Sequence, residues 1–170
     1  MKVCAYLNDG KAPLVLAGVD SIFPLYREVN TYPKLVEQGI AGNPEPLSAE
    51  DLRQRAWKIL EPQFASARRD AADRYFARAG TGLASAELKE VVTAAHDGRI
   101  ESLFVALGVQ IWGRFDEKNR SVVVHSQAET ADRDLLDLGA VHTFLNNGSV
   151  YAVDQQDVPG GGLLAAVFRY

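Results

Sequence analysis

The chain has 170 residues and a mass of 18.5 kDa, with 47% apolar and 24% charged residues. This mixture buries a core and excludes a disordered tail or a collagen-like repeat. Eighteen basic residues stand against 22 acidic ones, so the net charge of −4 disfavours a phosphate backbone for the molecule as a whole, and any nucleic-acid contact needs a local basic patch.

MKVCAYLNDG has the apolar spacing of a short helix ending at Gly10, and PLVLAGV after it is a continuous apolar run between turn signals, the pattern of a buried strand. No other strand candidate follows until about residue 102, which leaves this strand without a partner. Either its sheet lies outside this polypeptide, or it joins the later sheet or another copy of the chain. The next stretch, SIFPLYREVNTYPKLVEQGIAGNPEPL, carries Pro24, Pro33, Pro44 and Pro46 and reads as an ordered connector with short helical turns.

Ser48 followed three residues later by Asp51 is a variant of the capping box, so a long helix begins here. Trp57, Leu60, Phe64, Ala67, Ala71 and Tyr75 recur at three- and four-residue steps as a buried stripe, while Arg53, Arg68, Arg69, Asp70 and Arg74 take the wet face. Pro62 is expected to kink this helix or split it, and Gly80 and Gly82 end it. Ser85 suits the N-cap of a second helix, ELKEVVTAAHD, closed by Gly98. IESLFVAL then reads as a strand, and VQIWGRF and SVVVHS form a hairpin across the polar turn DEKN. DRDLLDLGAVHTFLNNG is helical, SVYAV is a strand, and PGGGLLAAVFRY is a glycine turn feeding a final strand. Strands interleaved with helices predict an α/β fold, a small mixed sheet layered between helices and preceded by a long linker helix.

The three histidines, His96, His125 and His142, fall on two helices and a strand and are read as having no partner three or four residues away to make a metal-ligand pair, so no metal site is expected. His142, near Val141 and Phe144, fits a core or interface role, and His125 ends a strand. Gly160, Gly161 and Gly162 lack the lysine and hydroxyl of a phosphate loop and precede a strand, which makes them a structural turn. A single cysteine, Cys4, excludes an internal disulfide and has no basic partner to activate it as a nucleophile. No signal peptide or membrane span is visible, which fits a reducing cytoplasm. The acidic residues cluster at turns and helix starts, where capping accounts for them. No catalytic residue and no cofactor is assigned. Arg68, Arg69, Arg74 and Arg78 make the best basic stripe, for RNA or for a protein partner, with Asp70 and Asp73 interleaved as surface ion-pair candidates.

The final segment SVYAVDQQDVPGGGLLAAVFRY resembles the end of the archaeo-eukaryotic class 1 release factors and of Pelota, where a strand, a variable loop, glycines and an apolar strand close on an Arg-Tyr pair. ELKEVVTAAHDGRIESLFVA is similar to the helix, glycine and strand that open the same C-terminal domain, with Glu90, Ala94, Gly98 and LFVA in corresponding places. The hairpin VQIWGRF to SVVVH and the leading PLVLAGVDSIFPLYREVN look like the bacterial branch of this superfamily. The resemblance implies three parts: residues 1–46 as the remnant of a preceding central domain, 47–82 as a long linker helix kinked near Pro62, and 83–170 as the C-terminal domain. It implies the fold shared with kink-turn-binding ribosomal proteins, used in release factors to dock a partner GTPase.

Peptide release in that family belongs to a Gly-Gly-Gln loop, a tripeptide that does not occur in this sequence. The kink-turn asparagine and lysine are replaced by Lys89 and Thr93. The expected role is therefore a non-catalytic docking or scaffold segment, with the ribosome or a translation-associated protein as partner and no membrane contact. The rival readings are an RNA-binding module built on the arginine-bearing helix, and a small-molecule enzyme with a site between the long helix and the sheet. Homo-oligomer formation through Trp57, Phe64 and Tyr75 on the long helix is also expected.

Overall fold

The computed structural model describes residues 12–170, which fall into two compact units, one ending at Ser66 and one running from Ala67 to Tyr170. The expected helix over residues 1–10, and Cys4 with it, lie outside the described residues.

In the first unit the apolar run after Pro13 finds its partner nearby. Leu14 bridges Leu35, and β1 (Ala17–Gly18) pairs in parallel with β2 (Ile40–Ala41). The Ile40 amide donates to the Leu16 carbonyl at 2.7 Å and the Gly42 amide to the Gly18 carbonyl at 2.9 Å. Parallel strands need a crossover, and α1 (Ile22–Val29) supplies it. The strand expected to lack a neighbouring partner is thus paired within its own connector. Sequence pattern misses β2 because two residues between Gly39 and Gly42 are too few to show a period. Phe23, Tyr32, Val36 and Ile40 are buried here. Gly39 is needed beside Phe23, since a Cβ there would lie 2.8 Å from the ring.

The long helix α2 (Ala49–Arg78) starts where the capping box predicts. Ser48 N donates to Asp51 Oδ2 at 3.1 Å, and Asp51 N donates back to Ser48 Oγ at 3.1 Å, so two amides free at the helix start are satisfied reciprocally. The helix runs unbroken through Pro62, and the expected split into two helices does not occur. Its stripe behaves differently along its length. Trp57 and Phe64 are about half exposed and stack on each other at 5.7 Å, whereas Ala71 is fully buried and Tyr75 half-buried.

The second unit continues with β3 (Ala84–Ser85), α3 (Leu88–His96), β4 (Ile100–Ala106), β5 (Trp112–Asp116), β6 (Ser121–Val124), β7 (Arg133–Asp134), α4 (Leu135–Leu145), β8 (Ser149–Val153) and β9 (Leu164–Phe168). Ser85 does not cap α3 as expected. Its backbone is extended and paired with Ala166 of β9, and the helix begins three residues later, although Ser85 Oγ still accepts the Glu87 amide at 3.1 Å. Gly98 closes α3 with a φ of +69°, letting the Gly98 amide reach the Ala95 carbonyl and the Arg99 amide reach the Ala94 carbonyl.

Four strands form a mixed sheet in the order β3-β9-β4-β8, antiparallel except for the parallel pair β4 and β8. β6-β5-β7 form a second, antiparallel sheet. One face of the four-stranded sheet meets the last turns of α2, with Ala71 against Phe104, Ala106, Val153 and Ala165. The opposite face meets α3 and α4, where Val91, Ala94, Ala95 and Leu136 enclose Ile100, Leu103 and Phe168. Val92 and Leu135 then turn from those helices toward Val122 of the second sheet. Each fully buried Phe, Ile or Leu in these layers contributes about 1.5–3 kcal/mol.

At the start of α4, Leu136 packs into the cluster of the four-stranded sheet and Leu135 into that of the second sheet, so consecutive apolar residues are both buried. No helix among the described residues is long and apolar enough to cross a membrane.

Candidate functional site

The four arginines read from the sequence separate in the structure. Arg74 Nε lies 3.0 Å from Glu101 Oε1, and Arg78 Nη1 donates to Glu101 Oε2 at 2.9 Å and to the Phe168 carbonyl at 2.7 Å. Both therefore tie α2 to the sheet. Arg68 and Arg69 are exposed and sit about 120–140° around the helix from Arg74, given about 100° per residue. Gly160 and Gly161 have φ of +83° and +71°, and the Gly161 amide closes a turn onto the Val158 carbonyl at 2.9 Å; Gly162 carries the chain from that turn to Leu163. Tyr75 lies beside this turn, near Gly160, and packs into the sheet face of its own unit. Of the three aromatic residues considered for oligomerisation, only Trp57 and Phe64 leave about half their surface open.

The space between the last turns of α2 and the sheet is filled by Ala71, Phe104 and Ala165, each at most 1% exposed. The open cleft lies elsewhere, about 430 Å³ between the hairpin and α4, lined by Phe115, Arg133, Leu138 and His142 among others. Behind it the His96 ring contacts Phe115 at 5.1 Å and His142 at 5.4 Å. Burial, followed by the neighbouring His96, holds the His142 imidazole below its ordinary pKa. His142 is thus half-buried at the edge of the cleft, on the helix where the sequence places it.

His125 follows β6 and meets a partner that sequence spacing did not reveal. Its Nδ1 lies 2.8 Å from Asp132 Oδ2, and the Asp132 carboxylate is fully buried. Arg114 Nε reaches Asp132 Oδ1 at 3.0 Å, and Arg114 Nη2 reaches Glu129 Oε2 at 3.2 Å and the Thr130 carbonyl at 2.8 Å. Burial pushes the Asp132 carboxyl up, but the bonds from His125, the Glu129 amide and Arg114 outweigh it and hold the group below its usual value.

The ligand atoms of His125, Glu129 and Asp132 lie within 4.8 Å of one another, close enough to suit a cation by distance. The Arg114 guanidinium already occupies both carboxylates, so the donor set is that of an ion-pair network pinning residues 125–132, and it does not fit a metal.

The apolar signal on the surface lies at the end of α4. Val141, Phe144 and Leu145 are 45%, 71% and 69% exposed and fall at i, i+3 and i+4, on one helix face. Nothing in the hydrophobic period separates them from the buried Leu135 and Leu136.

A mixed sheet with helices on both faces, entered through a long helix and closed by a glycine turn and an apolar strand, defines a domain of the type that ends archaeal release factors. The C-terminal domain of a peptide chain release factor from Methanosarcina mazei shares this fold at a TM-score of 0.50 and 16% identity, over 71% of this chain and 92% of that one. Pelota from Archaeoglobus fulgidus aligns over 99% of this chain at 21% identity and a TM-score of 0.43, and an archaeal translation termination factor, aRF1, over 93% at 16% and 0.42. This chain spans 52% of the length of Pelota and 43% of the termination factor. No curated protein sequence matches it. Residues 1–99 match the sequence profile of bacterial archaeo-eukaryotic release factor family 3, and the chain belongs to that family.

Proposed function

We propose that this chain is a docking segment of a release-factor-like protein, acting in translation or at the ribosome through a protein partner and carrying no peptide-release chemistry of its own. The observation that carries the reading is the open apolar face of Val141, Phe144 and Leu145 on a domain of release-factor type. A charged or catalytic patch is not needed for such docking, because interface energy concentrates in a few apolar and aromatic anchors that lose water on binding. The polar groups nearest to resembling a catalytic cluster, His125 with Asp132 and Arg114, are spent on holding a loop. The absence of a Gly-Gly-Gln tripeptide supports the same reading.

The test is co-sedimentation of the purified protein with isolated ribosomal subunits, alongside pulldown of purified translational GTPases. Binding by the wild type, lost by at least about tenfold in a Phe144→Asp/Leu145→Asp variant, supports the proposal, since a hot-spot residue contributes about 2 kcal/mol or more. Both side chains are already exposed, so folding should survive the change. No binding of the wild type to subunits or to any GTPase tested overturns it.

A further inference from the structure

We infer that the end of the second unit where β4 begins and β9 finishes binds the phosphate backbone of a looped RNA through Arg74, Arg78, Arg99 and Arg169. The antiparallel pairing of β4 with β9 sets Arg99, just before one strand, beside Arg169, just after the other, and the Arg169 amide donates to the Arg99 carbonyl at 2.9 Å. Arg78 from α2 reaches the same place through the Phe168 carbonyl. Arg74 joins through Glu101. Arg74 and Arg78 share the Glu101 carboxylate, with Asp70 and Asp73 on the same helix, while Arg99 and Arg169 stand at the adjoining strand ends with no carboxylate side chain among their contacts in the described residues. Four arginines against the Glu101 carboxylate and the α2 aspartates make this strand end a local basic site on a chain of net charge −4.

These side chains are also held in place. Arg99 lies over the Phe168 ring, 5.5 Å from its centroid, and its Nη2 donates to the Tyr170 carbonyl; Arg169 Nη2 donates to the Asn146 carbonyl at 2.8 Å. A guanidinium carries five N–H donors and these contacts use one or two, so the forks stay oriented with donors left for phosphate oxygens. The Tyr170 ring, 70% exposed beside them, offers a stacking platform for an unpaired base. Unpaired bases beside a continuous backbone are what RNA loops present. The patch is separate from Lys89 and Thr93, the kink-turn positions near the start of α3.

The experiment is fluorescence anisotropy of the purified chain with a labelled RNA stem-loop, a DNA stem-loop of the same sequence, and vesicles of phosphatidylcholine and phosphatidylserine as competitor, from about 50 to about 200 mM salt. The expected Kd for RNA is about 1–100 μM, with a log–log salt slope of about −2 to −3. Arg99→Gln/Arg169→Gln should weaken it about tenfold and flatten the slope by about 2, and Tyr170→Ala should weaken it several-fold. Arg68→Gln/Arg69→Gln removes the same charge outside the patch and should change the Kd by less than about twofold.

Circular dichroism accompanies each variant. If the Arg99/Arg169 pair does not fold, Arg169→Gln alone replaces it, with a loss of at least about threefold expected. No RNA binding at the lowest salt, equal losses from the two arginine pairs, equal affinity for the DNA stem-loop, or displacement of RNA by the vesicles would each overturn the assignment.

Discussion

His142 stands half-buried with His96 5.4 Å away, and its imidazole is held below the ordinary value of 6.5 by burial first and by that neighbour second. The folded state therefore binds fewer protons than the unfolded chain wherever the unfolded histidine charges. Its stability contribution is fully present above about pH 6.5 and is lost as pH falls through that value toward the lowered folded one. Thermal unfolding between pH 5 and 8 should show Tm dropping below pH 6.5, and His142→Leu should reduce that slope. The buried Asp132 acts in a separate window. Its carboxyl is held low in the fold, so its contribution is present above about pH 4 and disappears only below that. Gly113 provides a steric test of the same region. A Cβ there would meet the Val123 carbonyl oxygen at 2.1 Å and Leu135 Cδ1 at 2.8 Å, and backbone cannot yield as a side-chain tip does. Gly113→Ala should cost about 2–4 kcal/mol in denaturant unfolding. The sequence places His142 on a helix, and the structure half-buries it there beside His96. The His125–Asp132 pair is not legible, because it depends on how a loop folds back over Arg114.

Helices and their ends carry most of what spacing alone reveals. The Ser48–Asp51 box marks the start of α2 to the residue, because each side chain reaches an amide three residues away and no tertiary contact is needed. Glu50 strengthens the same turn, held down to about 2 by bonds from Arg53 and Gln54. Ser48→Ala should cost about 1 kcal/mol, read as about fivefold faster amide exchange at Asp51 and Leu52. Unchanged exchange there would show that the helix start is held by packing instead. The longer elements from Leu88 to Phe168, namely α3, β4, α4, β8 and β9 together with β5 and β6, fall where apolar runs between turn signals predict them. The failures share one cause. β2 and β3 are two-residue strands defined by partners distant in sequence, and β3 takes Ser85 out of the helix it resembles a cap for. At Pro62 the helix continues rather than splitting, since a helix of 30 residues tolerates one missing amide.

At the scale of the whole molecule, the chain is two compact units with a helix continuing from one into the other. The three larger hydrophobic clusters are made entirely of residues from Ala71 onward. The residues before Ser66 contribute a smaller buried set around Phe23, Tyr32, Val36 and Ile40. Folding free energy scales with the apolar surface a segment removes from water, so the second unit holds most of what the described residues bury. Its 104 residues, 67–170, are also within the range of independently folding domains. A fragment of residues 67–170 should therefore unfold cooperatively, with a Tm within about 5 °C of the main transition of the full chain, a shift of that size corresponding to about 1 kcal/mol. Differential scanning calorimetry of the two proteins compares them directly. The last three turns of α2 should stay helical in the fragment, because Ala71, Ala72 and Tyr75 pack on the sheet and Arg78 bonds the Phe168 carbonyl. A fragment that melts without a cooperative transition would mean that residues before Ala67 supply part of the stability of the sheet domain, and that the release-factor-type fold is not self-sufficient in this chain.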